Sequence, residues 1–170
     1  MAVEFRRLES SDDRSEFTCG NIDLDRFFQR FAGLNQFRHH IGTTYVALES
    51  DRIVGFVTVS PSQIEVEELP AKTRKRLPRY PLPVLRLARL GVHVDAQGRG
   101  IGLQLLRLTL TLARQMSHDL GCIGVVVDAK PDAIAFYRKY GFEELDTISG
   151  QLGDRPEPLP MFLPIGSIPK

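Results

Sequence analysis

Six residues, Gln97-Gly98-Arg99-Gly100-Ile101-Gly102, constrain this 170-residue chain more than any others, because they join a β-like run to a leucine-rich helix. Upstream, residues 85–94 place hydrophobic side chains on alternate positions, the period of a strand. Downstream, a run of leucines begins at Leu103. A glycine-dense turn that opens a helix presents backbone N–H groups with no intrahelical partner at the positive end of the macrodipole. It also carries no side chains to keep an anion away. Such a turn suits phosphate, and Arg99 within it offers a direct charge. Spacing excludes two phosphate loops. No Lys-Ser or Lys-Thr follows a glycine, as a Walker loop requires, and Gly98-x-Gly100-x-Gly102 is not the Gly-x-Gly-x-x-Gly of a Rossmann turn.

A second motif lies about 35 residues further on, beyond an apolar strand at 123–127. Ala135-Phe136-Tyr137-Arg138-Lys139-Tyr140-Gly141-Phe142 reads as a short helix of roughly ten residues. Pro131 suits its first turn, and Gly141 suits the left-handed position that ends it. Phe136 and Tyr140 read as its core face, which leaves Tyr137 on a different one.

Gln97, Gly100 and Gly102 fit Gln/Arg-x-x-Gly-x-Gly/Ala, and the second motif fits Ala-x-x-Phe-Tyr-x-x-x-Gly-Phe. Together they resemble the GNAT N-acetyltransferases. The resemblance implies an α/β fold: one domain over residues 1–170 with a mixed, mostly antiparallel central sheet and helices on both faces. It implies acetyl-CoA as cofactor, with pyrophosphate on the backbone of Gly98, Arg99, Gly100, Ile101, Gly102 and Leu103, next to Gln97. The pantetheine arm would pair with Leu90, Gly91 and Val92, and Phe136 would close the cofactor site. Gly91 reads equally as a site of close backbone approach or as a kink. Tyr137 matches the tyrosine that donates a proton or hydrogen bond to the leaving sulfur. A phenol of pKa about 10 is a weak acid for that task, so its part is mainly the hydrogen bond.

A third stretch narrows the branch. Phe17-Thr18-Cys19-Gly20-Asn21-Ile22-Asp23-Leu24-Asp25-Arg26-Phe27-Phe28, with Ala32 and Asn35 beyond, resembles the Phe-x-Cys-Gly-Asn-x-x-Leu-Asp-x-Phe-Leu opening of the GNAT toxins of type II toxin–antitoxin pairs. Residues 83–90 look like the same branch's lead-in to the cofactor strand. Phe28 departs from the usual leucine, and a Gly/Pro-rich loop at 150–160 is long. The branch implies acetylation of the α-amine of aminoacyl-tRNA, which blocks translation, and a cognate antitoxin, a small DNA-binding protein. A homodimer stays open. Two other functions also stay open: acetylation of a small-molecule amine or protein N-terminus, and a non-catalytic CoA-binding module.

Charge bears on the substrate. The formal net charge is only +1, so any polyanion site must be a local patch, and Lys72, Arg74, Lys75, Arg76 and Arg79 crowd into one segment. That segment reads either as a tRNA contact or as a solvated loop. No general base stands out. Glu16, Glu49, Asp95 and Asp128 are candidates by type, and His93, alone on a strand, reads as structural. An α-amine is partly neutral at pH 7 and needs no dedicated base. The two cysteines, Cys19 and Cys122, fit no metal spacing and read as reduced thiols, so no metal is expected. No secretory leader or membrane-spanning run is evident, which points to the cytoplasm.

The remaining elements follow from periodicity. A strand is expected at 3–8, then a helix capped by Asn21 with Leu24, Phe27, Phe28 and Phe31 on its inner face. Strands at 43–48 and 53–59 form a hairpin, and 62–83 is a proline-punctuated surface excursion with room for one short helix. Residues 100–117 alternate like a strand, yet Gln104, Arg107, Thr111, Arg114 and His118 form a polar stripe at helical spacing, and leucine favours helix. Short strands at 142–145 and 161–164 end the chain.

Overall fold

A computed structural model describes residues 2–145 and 158–168, and most of the expected 150–160 loop lies outside them. Seven strands form one sheet in the order β1-β2-β3-β4-β5-β7-β6. They are β1 (Glu4–Arg7), β2 (Thr43–Glu49), β3 (Arg52–Ile64), β4 (Leu82–Val92), β5 (Gly124–Ala129), β6 (Glu143–Glu144) and β7 (Leu159–Pro164). The pairs β1/β2, β2/β3, β5/β7 and β6/β7 are antiparallel. The helices are α1 (Ile22–Arg26), continued by π-helical turns at Phe27–Phe31 and Leu34–His39, α2 (Ala71–Arg74), α3 (Ile101–Asp119) and α4 (Ile134–Lys139). This is the mixed, mostly antiparallel α/β arrangement expected.

The chain divides into two compact units that interleave in sequence: Met1–Ser60 with Leu87–Thr109, and Pro61–Arg86 with Leu110–Lys170. In the first unit, Phe17, Phe28 and Phe56 pack ring to ring at 4.4–5.4 Å, with Leu8, Val46 and Ile53 around them. Asn21 caps α1 as expected, its side chain accepting from the amides of Asp23 and Leu24. The hairpin turns through Ser50 and Asp51, both left-handed (φ 49° and 67°), the primed geometry that matches strand twist. One expectation fails here. Phe28 is fully buried, but Phe31 is 45 % exposed, because the helix passes into wider π-helical turns that break the 3.6-residue wheel.

In the second unit the excursion at 62–83 is not merely surface. β3 runs on to Ile64, and Ile64, Val66, Leu69 and Leu82 are buried with Val126 and Phe162 in a core of their own. The short helix allowed there is α2, of four residues. β5 and β7 approach so closely that a Cβ on Gly124 would stand 2.3 Å from the Leu163 carbonyl. The polar stripe decides α3 in favour of helix: Gln104, Arg107, Thr111 and His118 are exposed, while Leu105, Leu106, Thr109 and Ala113 are buried.

Candidate functional site

The glycine turn follows a short helical turn, Val94–Ala96, at the end of β4. Gly98 and Gly100 take φ of +79° and +82°, which L side chains resist, and a Cβ on either would meet nothing within 4 Å. The turn is thus glycine for its backbone conformation, and it opens onto free space. The first intrahelical bond of α3 runs from the Gln104 amide to the Gly100 carbonyl at 3.1 Å. The amides of Ile101, Gly102 and Leu103 therefore have no acceptor within the helix. An open cradle of this kind fits a pyrophosphate.

Around it, side chains fix the turn to its own unit. The Gln97 amide donates to the Cys19 and Val92 carbonyls, both at 3.0 Å. The Val94 amide donates to the Thr18 carbonyl at 2.9 Å. Asp25 in turn accepts from the Thr18 hydroxyl and the Cys19 amide at 2.9 and 2.8 Å. The motif around Phe17–Phe28 and the glycine turn are thus one hydrogen-bonded assembly, a link no spacing rule revealed. From the hairpin, Glu49 holds both guanidinium nitrogens of Arg99, and Arg52 pairs with Asp95 at 2.9 Å. Arg99 therefore already has a carboxylate partner, and its charge reaches a phosphate only in competition with Glu49.

Gly91 is buried, and a Cβ there would stand 3.0 Å from Phe56 Cε1 and 3.4 Å from Cys19 Sγ. Its immediate requirement is internal packing; it carries no positive φ. Leu90 and Val92 are half-buried beside it. Cys19 and Cys122 are free thiols as expected, and burial pushes Cys19 up to about 11, so it is no nucleophile near neutral pH.

The other candidate residues lie in the second unit. α4 is shorter than expected, six residues, with Pro131 in the turn before it. It ends as expected: Gly141 is left-handed (φ 96°), its amide donates to the Arg138 carbonyl, and the Phe142 amide donates to the Tyr137 carbonyl. The faces are reversed, however. Tyr137 is the buried residue, at 5 % exposure, and Phe136 is only half-buried. Phe136 and Phe142 present edge-on to the Tyr137 ring at 5.2 and 5.4 Å, and burial pushes its phenol well above the ordinary tyrosine range. Lys72, Arg74, Lys75, Arg76 and Arg79 are all exposed, but Glu65, Glu67 and Glu68 immediately precede them.

Three of the four acidic candidates for a base are ion-paired. Arg99 and Arg52 hold the Glu49 and Asp95 carboxyls below the usual carboxylate range, and Asp128 pairs with Arg86 at 2.8 Å. Glu16 lines a cavity of about 270 Å³ with Phe17, Arg52 and His93. His93 is buried, and its Nδ1 accepts from the Asp95 amide at 3.1 Å. No group of residues suited to a metal occurs among the described residues.

Residues 40–144 match the model of the Acetyltransferase (GNAT) domain. A tRNA-acetylating toxin of Mycobacterium tuberculosis is 32 % identical over 81 % of this chain and 82 % of its own. The chain belongs to the GNAT acetyltransferase family. Among solved GNAT-fold structures, AtaT complexed with acetyl-methionyl-tRNAfMet superposes with a TM-score of 0.84 at 25 % identity, covering 98 % of this chain and 97 % of that one. AtaTR bound with acetyl-CoA superposes with a TM-score of 0.77 at 26 % identity, covering 98 % and 95 %. Among the described residues of this GNAT protein, no helix is long and apolar enough to cross a membrane.

Proposed function

We propose that this GNAT domain, spanning residues 1–170, is the toxin of a toxin–antitoxin pair and acetylates the α-amine of aminoacyl-tRNA in the cytoplasm. The observation that carries the cofactor half is the left-handed, open turn at Gly98 and Gly100 with the unpaired amides of Ile101, Gly102 and Leu103. Kinship with a tRNA-acetylating toxin over four-fifths of the chain supports the substrate half.

Bound acetyl-CoA supplies the acetyl group as a thioester. The backbone from Gly98 to Leu103 binds its pyrophosphate, with Gln97 holding the turn in shape. Leu90, Gly91 and Val92 would offer strand backbone to the pantetheine arm, where an amide could polarise the thioester carbonyl. Phe136 would pack on acetyl-CoA, and Tyr137 would supply a hydrogen bond to its sulfur. With Glu49, Asp95 and Asp128 all ion-paired, the substrate amine reacts from its neutral fraction, roughly a sixth at pH 7 for an α-amine of pKa about 7.7. Lys72, Arg74, Lys75, Arg76 and Arg79 contact tRNA phosphates, which makes binding fall steeply with salt.

Expression of the chain alone tests this. The expected result is growth arrest with acetylated aminoacyl-tRNA in the wild type and neither in Tyr137→Phe. Normal growth, with no acetyl label in tRNA from an enzyme that acetylates other amines, would transfer the reading to a small-molecule or N-terminal amine.

A further inference from the structure

Asp25 spends both carboxylate oxygens on the loop that precedes its own helix. It lies in the first turn of α1, where side chains tilt back toward the helix N-terminus, so it reaches residues 18 and 19. Its Oδ1 accepts from the Cys19 amide at 2.8 Å, and its Oδ2 accepts from the Thr18 hydroxyl at 2.9 Å. No cation among the described residues pairs with this carboxylate. These two bonds are therefore what its placement serves.

The bond to Cys19 acts through a single peptide plane. In a trans peptide the N–H and C=O point in opposite directions. The plane that turns the Cys19 N–H toward Asp25 thus turns the Thr18 carbonyl away from it, and that carbonyl accepts from the Val94 amide at 2.9 Å. The next carbonyl, of Cys19, accepts from the Gln97 side chain at 3.0 Å. Side-chain packing follows the same line. A Cβ on Gly91 would stand 3.4 Å from Cys19 Sγ, and one on the left-handed Gly20 (φ 91°) would stand 3.6 Å from Val94 Cγ1. Residues 18–20 thus meet Gly91, Val94 and Gln97, and Asp25 holds them from behind.

We propose that Asp25 is a positioning residue for acetyl-CoA: it fixes the Thr18–Cys19 peptide, which seats Val94 and Gln97 and so the glycine turn. The inference rests on the reading that the backbone from Gly98 to Leu103 cradles the cofactor. Two other roles for a carboxylate here, favouring the start of α1 by its charge and serving as a base, depend on that charge. Positioning depends instead on two polar atoms in the right places.

Three substitutions separate place from charge. In Asp25→Asn the amide oxygen accepts from the Cys19 amide and the NH2 donates to the Thr18 hydroxyl, so both bonds survive without the charge. Asp25→Glu keeps the charge but displaces both oxygens by a methylene, and Asp25→Ala removes everything. Acetyl-CoA is titrated into each full-length variant by calorimetry. Asp25→Asn should bind within about threefold of wild type, and the other two at least roughly tenfold more weakly. At saturating acetyl-CoA, turnover of the amine that the wild type acetylates should be retained, so the change falls on KM for acetyl-CoA. If Asp25→Ala does not fold, the Asn and Glu variants decide. Equal affinity in all folded variants overturns the proposal. So does tight binding by Asp25→Glu with weak binding by Asp25→Asn, which would make charge the determinant. A loss of turnover in Asp25→Asn with affinity intact overturns it as well and makes Asp25 a base. Gly100→Ala, titrated in parallel, tests the cradle by itself. If that variant binds acetyl-CoA as the wild type does, the cradle is refuted and the role of Asp25 falls with it. If it binds weakly while Asp25→Glu and Asp25→Ala do not, only the role of Asp25 is refuted.

Discussion

The roles proposed for Tyr137 and for Gly100 can each be isolated by one substitution. Burial of Tyr137 against Phe136 and Phe142 raises its phenol further above the ordinary value, so it keeps its proton throughout the working pH range. Tyr137→Phe keeps the packing and should lower kcat by roughly ten- to a hundredfold, with acetyl-CoA affinity unchanged by calorimetry. Because folding raises this pKa, the stability from burying the neutral phenol is fully present below about pH 10 and is lost only as pH rises beyond it. The kcat profile should accordingly show no falling limb from Tyr137 below about pH 10. Equal turnover by the phenylalanine variant, where chemistry limits the rate, would reduce Tyr137 to packing. At Gly100 the added Cβ of Gly100→Ala meets no protein atom but must adopt φ +82°. A stability loss of about 1 kcal/mol is expected from the backbone alone. Acetyl-CoA affinity should fall by more than tenfold, since the methyl group occupies the cradle. Unchanged affinity in a folded variant would dismiss the cradle.

Among the elements, the turn after β4 depends on side chains from three separate stretches. Gln97 is exposed, so cutting its two hydrogen bonds in Gln97→Leu should cost only about 1 kcal/mol of global stability. The local effect should be larger: hydrogen exchange should accelerate at the Val94 amide, which bonds the Thr18 carbonyl, and acetyl-CoA should bind more weakly. If exchange there is unaltered, Gln97 is not what fastens the turn. Helix α1 shows where periodicity misleads. Leu24, Phe27, Phe28 and Phe31 fit an α-helical wheel, but that wheel assumes one hydrogen-bonding pattern throughout. Once the backbone widens into π-helical turns the angular step changes, and Phe31 turns outward. Tyr137 misled for a related reason. In a six-residue helix capped by Gly141, the burial of each ring is set by what packs on it, not by a stripe too short to define a face.

For the whole molecule, Arg6 and Asp12 give a measurable handle on folding. Both guanidinium nitrogens bond both carboxylate oxygens at 2.8 and 2.9 Å, and Asp12 also accepts from the Glu9 amide at 2.8 Å. The side chains are 29 and 12 % exposed, and the hydrogen bonds from Arg6 hold the Asp12 carboxyl below its ordinary value. A depressed carboxylate contributes stability that is present above its unfolded pKa near 4 and is lost as pH falls through the folded one. Asp12→Asn should therefore lower stability at pH 7 by about 1–3 kcal/mol and flatten the decline below about pH 4. Thermal melts at both pH values check it, and parallel acid limbs for the two proteins would exclude Asp12 as a source of that decline.

The sequence by itself determined whatever rests on local chemistry. The glycine turn, the Asn21 and Gly141 caps, the β2/β3 hairpin and the helical answer for α3 each follow from φ preferences, capping or local periodicity, and each forms as expected. It also determined the family, because the three motifs each occupy a contiguous stretch. Only the tertiary structure decided which side chains those elements spend on one another. Arg99 goes to Glu49, 50 positions away, Gln97 goes to Cys19, 78 positions away, and Gly91 makes room for Phe56 and Cys19. It also decided that Phe31 and Phe37 face water. Such pairings depend on where distant backbone segments meet, and no period or spacing along the chain encodes that meeting.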